Sequence, residues 1–139
     1  MKKLFLLIPF IFVAFVSSED FSKEIVAATI ILEAGGEYHE GSLEAINEVI
    51  ETRSIKRGLS KAEVCLQRKQ FSCWNGKELN STIAFAKKHP RWGEALRIVK
   101  NPVTDYTKGS DHYHADYVNP YWASSMTKIV KIGRHIFYK

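Results

Sequence analysis

The sequence predicts an α+β domain, mainly helical, with a small β element at its C-terminal end. Three observations carry that expectation. Apolar residues recur at helical spacing through five segments between Ser22 and Lys100. Capping residues, glycines and a proline punctuate those segments. From Asn101 the character changes: Pro102, Asp105 and Gly109 mark a loop, and β-branched and aromatic residues dominate the tail.

The 139-residue chain opens with what reads as an address. Met1-Lys2-Lys3 is positive, Leu4 to Val16 is an apolar run of 13 residues, and Val16-Ser17-Ser18 precedes Glu19-Asp20. That is the three-part pattern of a secretory signal peptide, with cleavage expected after Ser18. As a helix the run would span about 20 Å, short of a bilayer core of about 30 Å. Residues 1–18 are therefore read as the signal peptide and 19–139 as one domain, large enough for a single core. The protein is expected to be exported, to periplasm or exterior, with membrane contact only if the leader is retained.

The first helix is expected from about Ser22 to Glu33, with Ile25, Val26, Thr29, Ile30 and Leu32 as a broad apolar face. Ser22 or Asp20 can cap it. Ser42 opens the second, in which Leu43, Ile46, Val49, Ile50 and Arg53 share one face and Gly58 is the stop. Ser60-Lys61-Ala62-Glu63 is a capping box for a short third helix reaching Leu66 or Gln67. Residues 70–76 form a loop rich in aromatic and hydrogen-bonding side chains. A fourth helix runs from about Ser81 to Lys88, where Pro90 breaks it, and a fifth carries Trp92, Ala95, Leu96 and Val99. His112 to Val118 reads as extended, Trp122 to Met126 as a short helix, and Lys128 to Tyr138 as a hairpin or bent strand around Gly133.

Without Lys2 and Lys3 the 20 basic residues become 18 against 15 acidic ones, a net of +3. Such a balance suits an anionic envelope surface, although most surface charge is simply solvated. No Arg/Lys stripe of the kind that tracks phosphates is present, so nucleic acid is not an expected partner. Cys65 and Cys73 both fall in the exported part and are expected to form a structural disulfide.

The chemistry centres on Ile30-Ile31-Leu32-Glu33-Ala34-Gly35-Gly36-Glu37. A carboxylate where a buried helix stops, with a loop beyond it, is suited to acid catalysis. On these residues alone the plainer reading leads: an ordinary helix end with a glycine cap. Glu37 and Glu40 extend the acidic cluster, Glu40 being better read as a charge at the start of the next helix. Glycoside cleavage needs a proton donor and commonly a second carboxylate about 5–9.5 Å away. The two glycines make the relative placement of Glu33 and Glu37 uncertain, so one acid acting alone is at least as good a reading.

Other constellations compete with it. His112, His114 and Asp116 would share one side of a strand, a platform for a zinc amidase, yet three ligands on one strand rarely surround an open metal position. Hydrogen-bonding histidines in a cleft wall fit that geometry better. Phe71, Trp74, Trp92, Tyr113, Tyr117, Tyr121 and Trp122 could stack on sugars or fill core and rim. Of these, Trp92 is better read as core and Trp74 as groove. Cys73 with His112 or His114 as base would make a cysteine peptidase, against which the nearby Cys65 counts.

Taken in order, the motifs resemble the spore cortex-lytic (SleB/CwlJ-type) cell-wall hydrolase family from about Ile25 to Tyr138. They are Leu32-Glu33-Ala34-Gly35-Gly36-Glu37, Gly41 with Ala45, Val49-Ile50 and Arg53, and Gln70-Phe71-Ser72-Cys73-Trp74. Thr107-Lys108-Gly109, His112-Tyr113-His114-Ala115, Val118-Asn119-Pro120 with Trp122, and Ile132 to Tyr138 complete them. The resemblance implies a lysozyme-like or lytic-transglycosylase-like fold that cuts peptidoglycan glycan strands. It implies that Glu33 is the catalytic acid, protonating the bond between N-acetylmuramic acid and N-acetylglucosamine and then drawing the proton from the muramyl 6-hydroxyl. Glu37 is expected to assist, and Phe71, Trp74, His112, Tyr113, His114 and Trp122 to line the groove. No cofactor or metal is implied, and a monomer is expected. Two features depart from the pattern: Thr52 stands where many members have Asn before the arginine, and no peptidoglycan-binding repeat precedes the domain. Some members are described as amidases, which keeps that bond open as the alternative, beside a non-catalytic glycan-binding module.

Overall fold

The structure, a computed structural model, describes residues 17–139. The leader expectation thus falls almost entirely outside the described residues. Five helices come first: α1 (Ser18–Ala34), α2 (Ser42–Arg57), α3 (Lys61–Leu66), α4 (Leu79–Lys87) and α5 (Trp92–Lys100). Strand β1 (His112–Ala115) and the hairpin β2 (Lys128–Ile132) and β3 (His135–Tyr138) follow. Short 3-10 turns cover Ser72–Trp74 and Tyr121–Ser125. None of the helices among the described residues is long and apolar enough to cross a membrane.

Helix α1 is the axis of the helical half. It packs against α2, α3, α4 and α5. Residues 25–31 are all buried, whichever side they face. A helix apolar on every side must be enclosed by others, and the sequence supplies four to do so. Its beginning is earlier than the apolar pattern suggests, because Ser17 accepts a hydrogen bond from the Asp20 amide and caps it. Its end differs as well. Gly35 keeps a right-handed φ of −60°, so no left-handed glycine cap is used. The glycine is required instead by close approach, since a Cβ there would stand 3.2 Å from the His89 ring.

The second and third helices follow their sequence signals closely. Gly58 adopts φ 63° after Arg57, and its amide bonds back to the Ser54 carbonyl. Ser60 and Glu63 form the reciprocal capping box. Helix α4 starts two residues early because Glu78 accepts from the amides of Asn80 and Ser81.

The three strands form one antiparallel sheet in the order β1-β3-β2. Tyr113 pairs with Phe137, and Ile132 with His135. The tail is therefore a hairpin whose last strand also carries β1, a pairing that local sequence does not announce. Gly133 turns the hairpin at φ 57°, and a Cβ there would come within 2.9 Å of the Glu37 carboxylate. Phe137, 1 % exposed, plugs the sheet into the helical core.

The irregular segment between α5 and β1 is organised by one carboxylate. Glu48 on α2 accepts from Thr104 Oγ1 and the Tyr106 amide on one oxygen, and from the Thr107 amide and hydroxyl on the other. All four distances lie between 2.7 and 2.9 Å. Glu48→Gln would turn an amide NH2 toward two of those donors, so it should destabilise the protein by about 2–4 kcal/mol in urea unfolding.

Candidate active site

Glu33 sits in the last turn of α1, half-buried, at the bottom of a cleft of about 550 Å³. The side chains of Arg53, Lys69, Phe71, Tyr113, Tyr117 and His135 are among those that line it. Glu33 is the only carboxylate in that lining among the described residues. The Tyr113 hydroxyl donates to Glu33 Oε2 at 2.8 Å. Burial first, and then the negative charge of Glu33, push the Tyr113 hydroxyl well above its ordinary value, so it remains a donor. One carboxylate oxygen is thereby occupied, and no hydrogen bond within the described residues takes the other.

Cys73 is the second neighbour of the acid. Desolvation, and then the negative charge of Glu33, push its thiol far up, so it is a neutral thiol and not a nucleophile. Cys65 lies against Thr29, one helical turn earlier on α1, and burial pushes it up to about 12. Both cysteines are free. The expected disulfide is thus corrected: Cys65 is sealed in the core and Cys73 lies in the lining of the cleft.

Arg53 enters the cleft from α2. Its Nε donates to the Asp111 carbonyl at 2.8 Å, and its guanidinium lies 5.3 Å from the Phe71 ring centroid. Phe71, 2 % exposed, is accordingly the floor beneath the arginine rather than a stacking surface for sugar. Asp111 is itself held by Lys56 at 2.7 Å and His112 at 2.9 Å, which ties the start of β1 to α2. Desolvation opposes the charge on Asp111, but the hydrogen bonds from His112 and Lys56 outweigh it and keep the carboxyl below its usual value.

Several expected site residues are elsewhere. Glu37 does not face the cleft. Its carboxylate accepts from the Arg134 amide at 3.0 Å and from His135 Nδ1 at 3.2 Å, while its carbonyl accepts from Arg91 and Ser42. It latches the end of α1 to the hairpin turn, which is why Gly133 has no room for a side chain. Trp74 turns inward and donates to Thr29 Oγ1 at 3.0 Å, so it is packing, not groove. His112 and His114 alternate with Tyr113 and stand on the other face of β1, with ring centroids 5.2 and 5.7 Å from Trp122. His114 borders the cleft, but its Nδ1 bonds the Ala115 carbonyl and its Nε2 the Tyr138 hydroxyl. Among the described residues no three His, Cys, Asp or Glu side chains could hold a metal ion. The platform of His112, His114 and Asp116 is not assembled: Asp116 pairs with Lys131 at 2.8 Å.

Three residues of the lining were not singled out by their own sequence context: Arg53, Lys69 and His135. An arginine on the apolar stripe of α2 was the available signal for the first. The other two are brought in by a loop conformation and by strand pairing.

This arrangement, a half-buried acid with a tyrosine donor in an open cleft, belongs to an enzyme that acts on the cell wall. Residues 36–138 match the cell wall hydrolase family model, and the chain is a member of that family. In fold it is similar to the catalytic domain of the germination-specific lytic transglycosylase SleB from Bacillus anthracis. That match has a TM-score of 0.71 at 21% identity and covers 91% of this chain and 98% of that one. The catalytic domain of the Bacillus cereus SleB protein matches with a TM-score of 0.60 at 22% identity, covering 86% and 90%. Among curated proteins none matches the sequence significantly.

Two variants separate the acid's environment from the latch. Tyr113→Phe should keep the unfolding midpoint and lower the rate of wall-fragment release on the order of tenfold, by removing one hydrogen bond to a charged group. Glu37→Ala should instead cost about 1–3 kcal/mol of stability in denaturant titration, and by freeing the hairpin turn it should lower turnover as well.

Proposed function

We propose that this protein cuts the glycan strands of peptidoglycan between N-acetylmuramic acid and N-acetylglucosamine as a lytic transglycosylase, with Glu33 as the catalytic acid and base. The observation that carries the reading is the solitary carboxylate: Glu33 stands alone in the cleft lining, and Glu37 is committed to the hairpin. With no second carboxylate in the cleft lining among the described residues, a mechanism that needs one acid is favoured. The fold shared with SleB catalytic domains supports the same choice.

Tyr113 holds Oε2, so the proton to be delivered sits on Oε1. Glu33 gives that proton to the glycosidic oxygen as the C1–O bond breaks and the N-acetylglucosamine hydroxyl leaves. The carboxylate then accepts the proton of the muramyl 6-hydroxyl, whose oxygen bonds to C1 and closes a 1,6-anhydro ring. The acid is restored and no water is consumed. Next to the cleft, and sharing Leu32 and Cys73 with it, a cavity of about 290 Å³ continues past Lys77, Ser81, Thr82 and Phe85. A strand longer than one disaccharide has somewhere to lie. Export follows from the same reading, with residues 1–18 as the leader.

Glu33→Gln should abolish release of soluble fragments from purified walls while leaving the circular dichroism and unfolding midpoint unchanged. Mass spectrometry of a wild-type digest should show 1,6-anhydromuramyl ends. Full activity in Glu33→Gln would overturn the assignment of the acid. Reducing ends would make the enzyme a muramidase, and free stem peptides an amidase.

A further inference from the structure

Arg53 is 8 % exposed, yet within the protein only its Nε is engaged, on the Asp111 carbonyl. Its Nη1 is buried without any hydrogen-bond partner. Among the described residues every ion pair of a lysine or arginine involves other side chains, so neither Arg53 nor its cleft neighbour Lys69 has a paired carboxylate. A buried guanidinium that neighbouring carboxylates, Asp111 and Glu33, act on only from a distance and that no carboxylate bonds is a costly arrangement. Lys69 adds to it. Its backbone sits at φ 63°, unusual for a residue with a side chain, and this conformation places it on the cleft rim.

The one negative group that Arg53 senses in the cleft is Glu33. To act as an acid Glu33 must be protonated, and in that state the two cations face no negative charge at all in the lining. The counter-charge then has to arrive with the substrate. A planar guanidinium with a free edge, backed by an aromatic ring, is suited to a carboxylate.

We propose that Arg53, assisted by Lys69, forms a carboxylate-binding subsite beside Glu33, so that the enzyme selects glycan strands bearing a free carboxylate over neutral ones. This rests on the glycan-cleaving reading and specifies which feature of the strand is recognised. Two sources share the chemistry: the lactyl carboxylate exposed where stem peptides have been removed, and the carboxylates of the stem peptides themselves.

The test uses Glu33→Gln, which binds without turnover and imitates the protonated acid, in isothermal titration against three oligosaccharides of equal length. One carries stem peptides, one has been stripped by an amidase to free lactyl groups, and one is a chitin oligosaccharide with no carboxylate. At least one carboxylate-bearing ligand should bind roughly ten- to hundredfold more tightly than the neutral one. Which of the two gains identifies the source. The advantage should vanish in Glu33→Gln/Arg53→Gln and fall roughly two- to fivefold in Glu33→Gln/Lys69→Ala. Equal Kd for all three ligands, or an advantage unchanged in a folded Arg53→Gln protein, would overturn the subsite alone. If Arg53→Gln does not fold, the ligand comparison on the parent and on Lys69→Ala decides, and an advantage that Lys69→Ala leaves untouched counts against the proposal. Binding of none of the three overturns the glycan-cleaving reading as well.

Discussion

A helix enclosed on all sides has only its ends available for polar chemistry, and that constraint governs this protein. Residues 25–31 of α1 are buried without interruption, which forces four helices to wrap it and leaves Glu33 as the first ionisable side chain to emerge at its far end. The enclosing helices do more than bury apolar area. Helix α2 contributes Arg53 and Glu48, and the segment after α3 delivers Phe71 and Cys73 to the same end. The cleft is the place where wrapping stops.

Carboxylates then connect the irregular half of the chain to this helical frame. Glu48 collects the loop that leads to β1, Asp111 joins β1 to α2 through Lys56 and Arg53, and Glu37 holds the hairpin turn. Each bridges residues more than 50 positions apart in the chain. Backbone amides and carbonyls are satisfied this way where no regular ladder exists, which is the condition for a loop to be held in one conformation. The acids therefore divide by task. Those with several donors position backbone, and the one with a single protein hydroxyl donor and an open side faces the cleft.

Much of this was legible in the sequence, and the parts that were not share a cause. Helix α2 with its Gly58 stop and α3 with its capping box are decided within a few residues, and both follow their signals. Glu33 was singled out less by its own local motif, which reads first as a plain helix end, than by the ordered motifs downstream. Trp74 could not be placed, since nothing nearby says that Thr29, 45 positions away, would take its indole. The same holds for Glu37: two intervening glycines conceal whether the carboxylate turns toward Glu33 or toward a hairpin 97 residues later. His112 and His114 were expected to line the groove from a strand, but which face of β1 looks at α1 depends on pairing with β3. The cysteines were paired on compartment and spacing alone, neither of which says that one would be sealed in the core and the other left at the cleft.

The latch made by Glu37 has a consequence for how the acid and its tyrosine keep their distance. From Glu33 the backbone runs four residues to Glu37, whose carboxylate grips Arg134 and His135. Strand β3 continues from there to Phe137, which is paired with Tyr113, and the Tyr113 hydroxyl returns to Glu33. These links close a small circuit that passes through no other helix. The two groups are the jaws of a caliper whose frame is that circuit, and α4, which lines the neighbouring cavity, is not among its links. The hydroxyl–carboxylate gap and the walls of the neighbouring cavity thereby belong to separate parts of a very small domain.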